Sequence, residues 1–206
     1  MLTSYLATVL LIELTPGPNM AYLAALTLGS GRRAGLAAVA GLALGLTLIG
    51  LAAALGLAAL VATDPVIWNT LRWAGTAYLF YLAWETWRGG AEASPAGAPM
   101  PDESRVRHFR RGLITNILNP KAALFYVAIV PRFVPETGEH LVYGLALTAI
   151  SVAVATAVHL AIVLLAAHLH PLLKQPGRMA HTRHFLAIGL GIIAIWFLFN
   201  AAVPAG

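Results

Sequence analysis

From Leu36 to Leu60 the chain reads LAAVAGLALGLTLIGLAAALGLAAL, with no charged residue anywhere in the run. A bilayer crossing needs about 20 mainly apolar residues, and a run of this length has few places in a fold surrounded by water. Five other segments approach the same length and character: residues 4–28, 66–87, 112–130, 141–167 and 185–203. Charged residues make up only 10% of the chain, against about 25% in a soluble domain, too few to cover a water-facing surface. The expected fold is an all-α polytopic membrane protein with six transmembrane helices. The first segment, MLTSYLATVLLIEL, lacks a basic start and a small-residue cleavage site, so it is expected to be retained as the first crossing.

The basic residues sort by side. Arg32, Arg33, Arg88, Arg105, Arg107, Arg110, Arg111, Lys174, Arg178 and Arg183 fall in three connectors that a six-crossing chain places on one face. Arg132 and Arg72 belong to the other face. An excess of Lys and Arg in short loops marks the cytoplasmic side, so both termini are expected outside. The net charge of +5 then reports topology, and nucleic acid is not an expected partner. An Ala-, Pro- and Gly-rich stretch centred in 89–111 divides the chain into a first three-helix unit (1–88), a cytoplasmic linker (89–111) and a second three-helix unit (112–206).

Two interruptions stand at corresponding places. Thr15-Pro16-Gly17-Pro18-Asn19 breaks the first crossing, and Asn116, Asn119 and Pro120 break the fourth. Thr15-Pro16 pairs with Asn119-Pro120 in this comparison, and Tyr22 with Tyr126. Three crossings per half place the second half upside down, giving two inverted repeats with helices 1 and 4 broken at proline. That layout is common in secondary transporters, whose paired breaks point to a binding site. Proline lacks an N–H and collides with the preceding turn, so the freed polar groups need a protein interior or a polar cavity.

Lys121 follows the second break. It either faces such a cavity or extends its stem to the cytoplasmic interface. Glu13 either forms a structural salt bridge, with Lys121 as one partner, or titrates protons. His159, in the fifth crossing, is a second titratable candidate or a packing residue. The expected substrate-binding set is Lys121, Asn119, Asn116, Asn19 and Thr15. Glu13 and His159 are the proton-coupling candidates, and no catalytic, metal or cofactor site is expected. Arg72 and Glu85 are read as interfacial, as are Trp68, Trp73, Trp84 and Trp87. Gly41, Gly45, Gly50 and Gly56 are read as close-packing positions.

TPGPNM at 15–20, GRRAGLAAVAGLALG at 31–45, LRWAGTAYLFYLAWETWR at 71–88 and RRGLITNILNPKAALFY at 110–126 together resemble the LysE/RhtB family of amino-acid exporters. The resemblance implies a bacterial inner-membrane protein that exports an amino acid or close derivative by antiport, powered by the proton-motive force. It carries over Pro16, Gly17, Pro18, Asn19, Asn119, Pro120 and Lys121. The fifth crossing lacks the acidic residue that family members often have there, which lowers the expectation of a basic substrate. Membrane lipid and protons are the other expected partners, and a homo-oligomer is allowed. A scaffold or accessory subunit without a transport cycle is the alternative from another class. A cation exporter is disfavoured by the lack of thiolates and carboxylates in the spans.

Overall fold

The computed structural model describes residues 1–56, 64–88, 102–135, 139–173 and 178–200. The first part of the expected linker, residues 89–101, lies outside them, as do Lys174 and the side chain of Asn200. Every element among the described residues is helical. They are α1 (Leu2–Leu14), α2 (Pro18–Ser30), α3 (Arg32–Ala54), α4 (Pro65–Arg88), α5 (Asp102–Ile117), α6 (Pro120–Leu124), α7 (His140–Leu173) and α8 (Arg178–Asn200). The chain after α6 continues through a π-helical turn at Phe125–Ile129 and a 3-10 turn at Val130–Phe133.

The distribution of side chains is that of a protein in lipid. Leu11, Phe185 and Phe199 are 69%, 75% and 79% exposed, while Asn116, Ser151 and His159 are 1%, 1% and 4% exposed. Apolar groups cover the outside and polar groups are held inside, which is unfavourable in water and expected in a bilayer. The chain is a multi-pass membrane protein. α3 and the His140–His170 part of α7 are each long and apolar enough to cross a membrane alone. The pairs α1–α2 and Asp102–Ile117 with Pro120–Phe133 qualify when each is taken as one span, with bends of 54° and 50°. The third and sixth expected crossings correspond to α4, which carries Arg72, Glu85 and Arg88, and α8, whose apolar part Ala180–Trp196 is shorter.

Helix ends follow local chemistry. Asp64 Oδ1 accepts from the Val66 and Ile67 amides at 2.8 and 3.3 Å, capping the start of α4. Asp102 and Glu103 place negative charge in the first turn of α5, where the helix dipole favours it. α5 therefore starts at Asp102, well before Gly112, where the apolar pattern of the fourth crossing begins.

Small residues set the spacing of the bundle. A Cβ added at Gly41 would collide with the Phe109 carbonyl, and one at Gly112 with the Ala38 carbonyl. α3 and α5 thus cross backbone to backbone, each supplying the glycine that the other needs. Gly45 lies against Asn116, and Gly50 against Thr148 and Tyr126. Gly56 departs from the close-packing reading. It has a φ of +88° and open space around it, and its amide bonds the Ala53 carbonyl at 2.9 Å. It ends α3 in the left-handed conformation that glycine adopts most readily. Trp68 is also corrected: it is fully buried against Ala123, Leu71 and Leu124, whereas Trp73, Trp84 and Trp87 are exposed.

Candidate substrate site at two helix interruptions

The site begins with missing amides. In a continuous helix the Ile12 carbonyl would accept from the amide of residue 16 and the Leu14 carbonyl from residue 18. Both positions are proline, so neither bond can form. Thr15 stands in extended backbone (φ −69°, ψ 122°), as a residue before proline prefers. Its amide still reaches the Leu11 and Ile12 carbonyls, each at 3.1 Å.

Lys121 supplies the donor that Pro16 lacks. Its Nζ donates to the Ile12 and Thr15 carbonyls, both at 2.6 Å. A cation against the exposed carbonyl end of a helix is also favoured by the dipole of α1. The lysine stem passes directly over Gly17, where an added Cβ would stand 3.3 Å from Lys121 Cδ. Any larger residue at position 17 would press on it.

The second interruption is capped differently. Asn119 Oδ1 accepts from the Lys121 amide at 3.0 Å, and Pro120 takes the first helical position of α6. Gly17 and Pro18 hold the same two positions at the start of α2. Helix geometry thus equates Gly17-Pro18 with Asn119-Pro120, and Asn19 with Lys121. That register is two residues away from the match of Thr15-Pro16 with Asn119-Pro120 and of Tyr22 with Tyr126.

Between the two interruptions lies a cavity of about 20 Å³, room for about one water molecule. Glu13, Asn19, Asn116, Asn119, Lys121 and His159 all line it. Asn19 Nδ2 donates to Asn116 Oδ1 at 2.8 Å, and Asn116 Nδ2 donates to the Leu42 carbonyl at 2.9 Å. That chain ties α2 to α5 and α5 to α3. Asn19 Oδ1 is buried without a hydrogen-bond partner among the described residues. Glu13 Oε2 lies 3.8 Å from His159 Nε2, a contact that becomes an ion pair when the imidazole is protonated. Met20, Leu46 and Phe125 add apolar wall. As members of apolar helices they carry no sequence signal that would single them out.

A larger cavity of about 410 Å³ lies on the other side of the lysine. Ile12, Gly17, Lys121 and Phe125 border both spaces, so the Lys121 bridge to α1 stands in the partition between them. Thr15 belongs to the larger space and is outside the polar cluster. Its hydroxyl donates to the Leu11 carbonyl of its own helix at 2.9 Å, and only its carbonyl meets Lys121.

Two histidines near the last connector make local structural contacts. His170 Nδ1 meets the Leu28 carbonyl at 2.7 Å, and His184 stacks on Trp87 with ring centroids 4.0 Å apart. Among the described residues no group of three or more His, Cys, Asp or Glu is placed to hold a metal ion. Glu85, read as interfacial, instead forms a half-buried ion pair with Arg111.

A helical membrane protein with a small polar chamber between two interrupted helices has the make-up of a small-solute transporter. Residues 10–201 match the LysE type translocator family, and the chain belongs to that family. It is a translocator, not an enzyme. It is 31% identical to the homoserine/homoserine lactone efflux protein of Salmonella typhimurium over 157 residues, covering 74% of this chain and 76% of the relative. It is 32% identical to the leucine efflux protein of Salmonella choleraesuis over 137 residues, 66% of this chain and 65% of the relative. An uncharacterized membrane protein of Vibrio cholerae is 30% identical over 176 residues, 85% of each chain. No solved structure matches the chain.

Proposed function

We propose that this chain is a secondary transporter exporting an uncharged-side-chain amino acid or close derivative from the cytoplasm, by antiport against protons. The observation that carries the reading is the Lys121 ammonium, whose hydrogen bonds among the described residues go to the backbone carbonyls of Ile12 and Thr15, at the partition between two cavities. A substrate carboxylate is a stronger acceptor than a carbonyl. It can draw the ammonium away from α1, with Asn19, Asn116 and Asn119 offering hydrogen bonds, and loosen the partition. The chamber of about 20 Å³ is then the closed form, which widens as α1 and α6 separate.

Efflux of homoserine and its lactone and of leucine by the relatives supports a substrate without a basic side chain. The membrane layout proposed with it has six crossings in two inverted three-helix units, α1–α2 and α5–α6 serving as the proline-interrupted spans. Both termini lie outside and residues 89–111 lie in the cytoplasm of a bacterial inner membrane. Glu13 and His159, facing each other across the chamber, are the proton-carrying pair. Inverted vesicles loaded by a pH gradient and offered labelled homoserine, homoserine lactone and leucine test the proposal. Gradient-dependent accumulation of at least one is expected. A scaffold protein would move none of them, and that result would end the transport reading.

A further inference from the structure

A second polar cluster lies toward the other end of α2, away from the central chamber. Here α2, α4, α5 and α8 enclose a cavity of about 30 Å³, bordered by Tyr22, Ser30, Glu85 and Arg111. Glu85 Oε1 accepts from Arg111 Nη2. The other carboxylate oxygen, Glu85 Oε2, is buried with no hydrogen-bond partner among the described residues. The hydroxyls of Tyr22 and Ser30 are buried and likewise unpartnered among the described residues, in residues only 4% and 8% exposed.

Buried polar atoms are nearly always satisfied, so three unmet ones around one cavity point to a ligand that satisfies them together. A carboxylate oxygen can only accept, and each hydroxyl can accept. A primary ammonium brings three donors and one positive charge, which is the matching chemistry. The space suits a group about the size of one water and is too small for a whole amino acid. Arg111 also borders a wide depression of about 900 Å³ next to Arg107 and Arg110. It thus stands where a carboxylate arriving from that depression would meet it.

We propose that Glu85, Tyr22 and Ser30 form an inner-side binding site for the primary ammonium of the transported compound, with Arg111 flanking it toward the depression. The inference rests on the transport reading above and on the arginine-rich end being cytoplasmic. Homoserine, homoserine lactone and leucine share this amine, whereas the lactone has no free carboxylate. The site therefore recognises what all three have in common, before the central chamber is reached.

The test removes the two hydroxyls, which have no hydrogen-bond partner among the described residues. The double variant Tyr22→Phe/Ser30→Ala is assayed for its half-saturating concentrations of labelled homoserine, homoserine lactone and leucine. Inside-out vesicles present one face and right-side-out vesicles the other. For the compounds that the parent moves, the inference requires a rise of about five-fold or more on the cytoplasmic face, as loss of a hydrogen bond predicts. The outer face and the thermal midpoint should match the parent, and Glu85→Gln should show the same one-sided loss. Unchanged values in the double variant, or equal changes on both faces, overturn the inference while parental transport keeps the functional reading. A parent that moves none of the three overturns both. An inorganic cation could supply the same charge, so the assays are repeated with choline replacing sodium and potassium. A one-sided effect that disappears in choline assigns the cavity to the inorganic ion and overturns its assignment to substrate.

Discussion

Lys121 Nζ bonds the Ile12 carbonyl at 2.6 Å, the carbonyl that Pro16 cannot serve because it has no N–H. The cost of a lysine in the spans and the cost of a proline in a helix offset one another. The replacement bond comes from a flexible side chain and not from the helix itself. It can be exchanged for another acceptor without refolding α1, and this makes it suited to a step in a transport cycle.

Replacing Lys121 by Met keeps most of the stem and removes the charge. Half-saturating concentrations for homoserine and leucine should rise by about ten-fold or more, since a charge-assisted contact is worth roughly 1.5–3 kcal/mol. Homoserine lactone, lacking a carboxylate, should be affected much less. Lys121→Arg should keep part of the affinity. Equal losses for all three compounds would show that Lys121 only braces α1.

Glu13→Gln should weaken efflux driven by a pH gradient while substrate exchange without a gradient continues in part. The basis is the placement of Glu13 Oε2 3.8 Å from His159 Nε2 on the wall of the chamber. His159→Gln should give the same separation of driven efflux from exchange. If driven efflux from Glu13→Gln equals that of the parent at matched expression, the carboxylate is structural.

The membrane class was legible because it rests on amounts: too few charges, and apolar runs too long for a soluble core. The helix ends at Leu14 and Ile117 were legible because proline removes a donor wherever it stands. The partner of Lys121 was not, since it is a pair of backbone carbonyls and every residue has one. Glu85 illustrates a different gap. Its place near a helix end suggests an interface, yet the approach of α5 to α4 turns it toward Arg111, a residue whose sequence position reads as topology. Gly56 resembles Gly41 and Gly45 in sequence, but only its backbone conformation distinguishes a helix stop from a packing position. Close similarity of Gly- and Ala-rich stretches likewise hides the two-residue register difference between the interruptions.

The proposed orientation can be read by labelling, because the chain has no cysteine. Glu103 and Glu139 are both exposed and fall on opposite sides of the proposed membrane. A membrane-impermeant thiol reagent applied to intact cells should label Glu139→Cys and miss Glu103→Cys until the cells are broken. Labelling in the reverse order would invert the topology and put the arginine-rich connectors outside.

The contact between α3 and α5 gives a prediction about folding that separates a close approach from an ordinary helix glycine. At Gly41 an added methyl group meets the Phe109 carbonyl, and backbone cannot step aside as a side-chain tip can. The helices must separate, which also stretches the bond from Asn116 Nδ2 to the Leu42 carbonyl, 2.9 Å long in the parent, and disturbs the chamber wall. Gly41→Ala should therefore lower stability by about 1–3 kcal/mol, the usual range for overpacking. Gly189 in α8 is also helical, but nothing lies within 4 Å of a Cβ built there. Gly189→Ala should be stabilising by about 0.5–1 kcal/mol, from the smaller entropy loss of alanine in a helix. Thermal unfolding of the two variants in the same detergent should thus shift in opposite directions from the parent. If Gly41→Ala unfolds at or above the parental midpoint, α3 and α5 do not cross backbone to backbone, and the Asn116 bridge between them is not held in the way described.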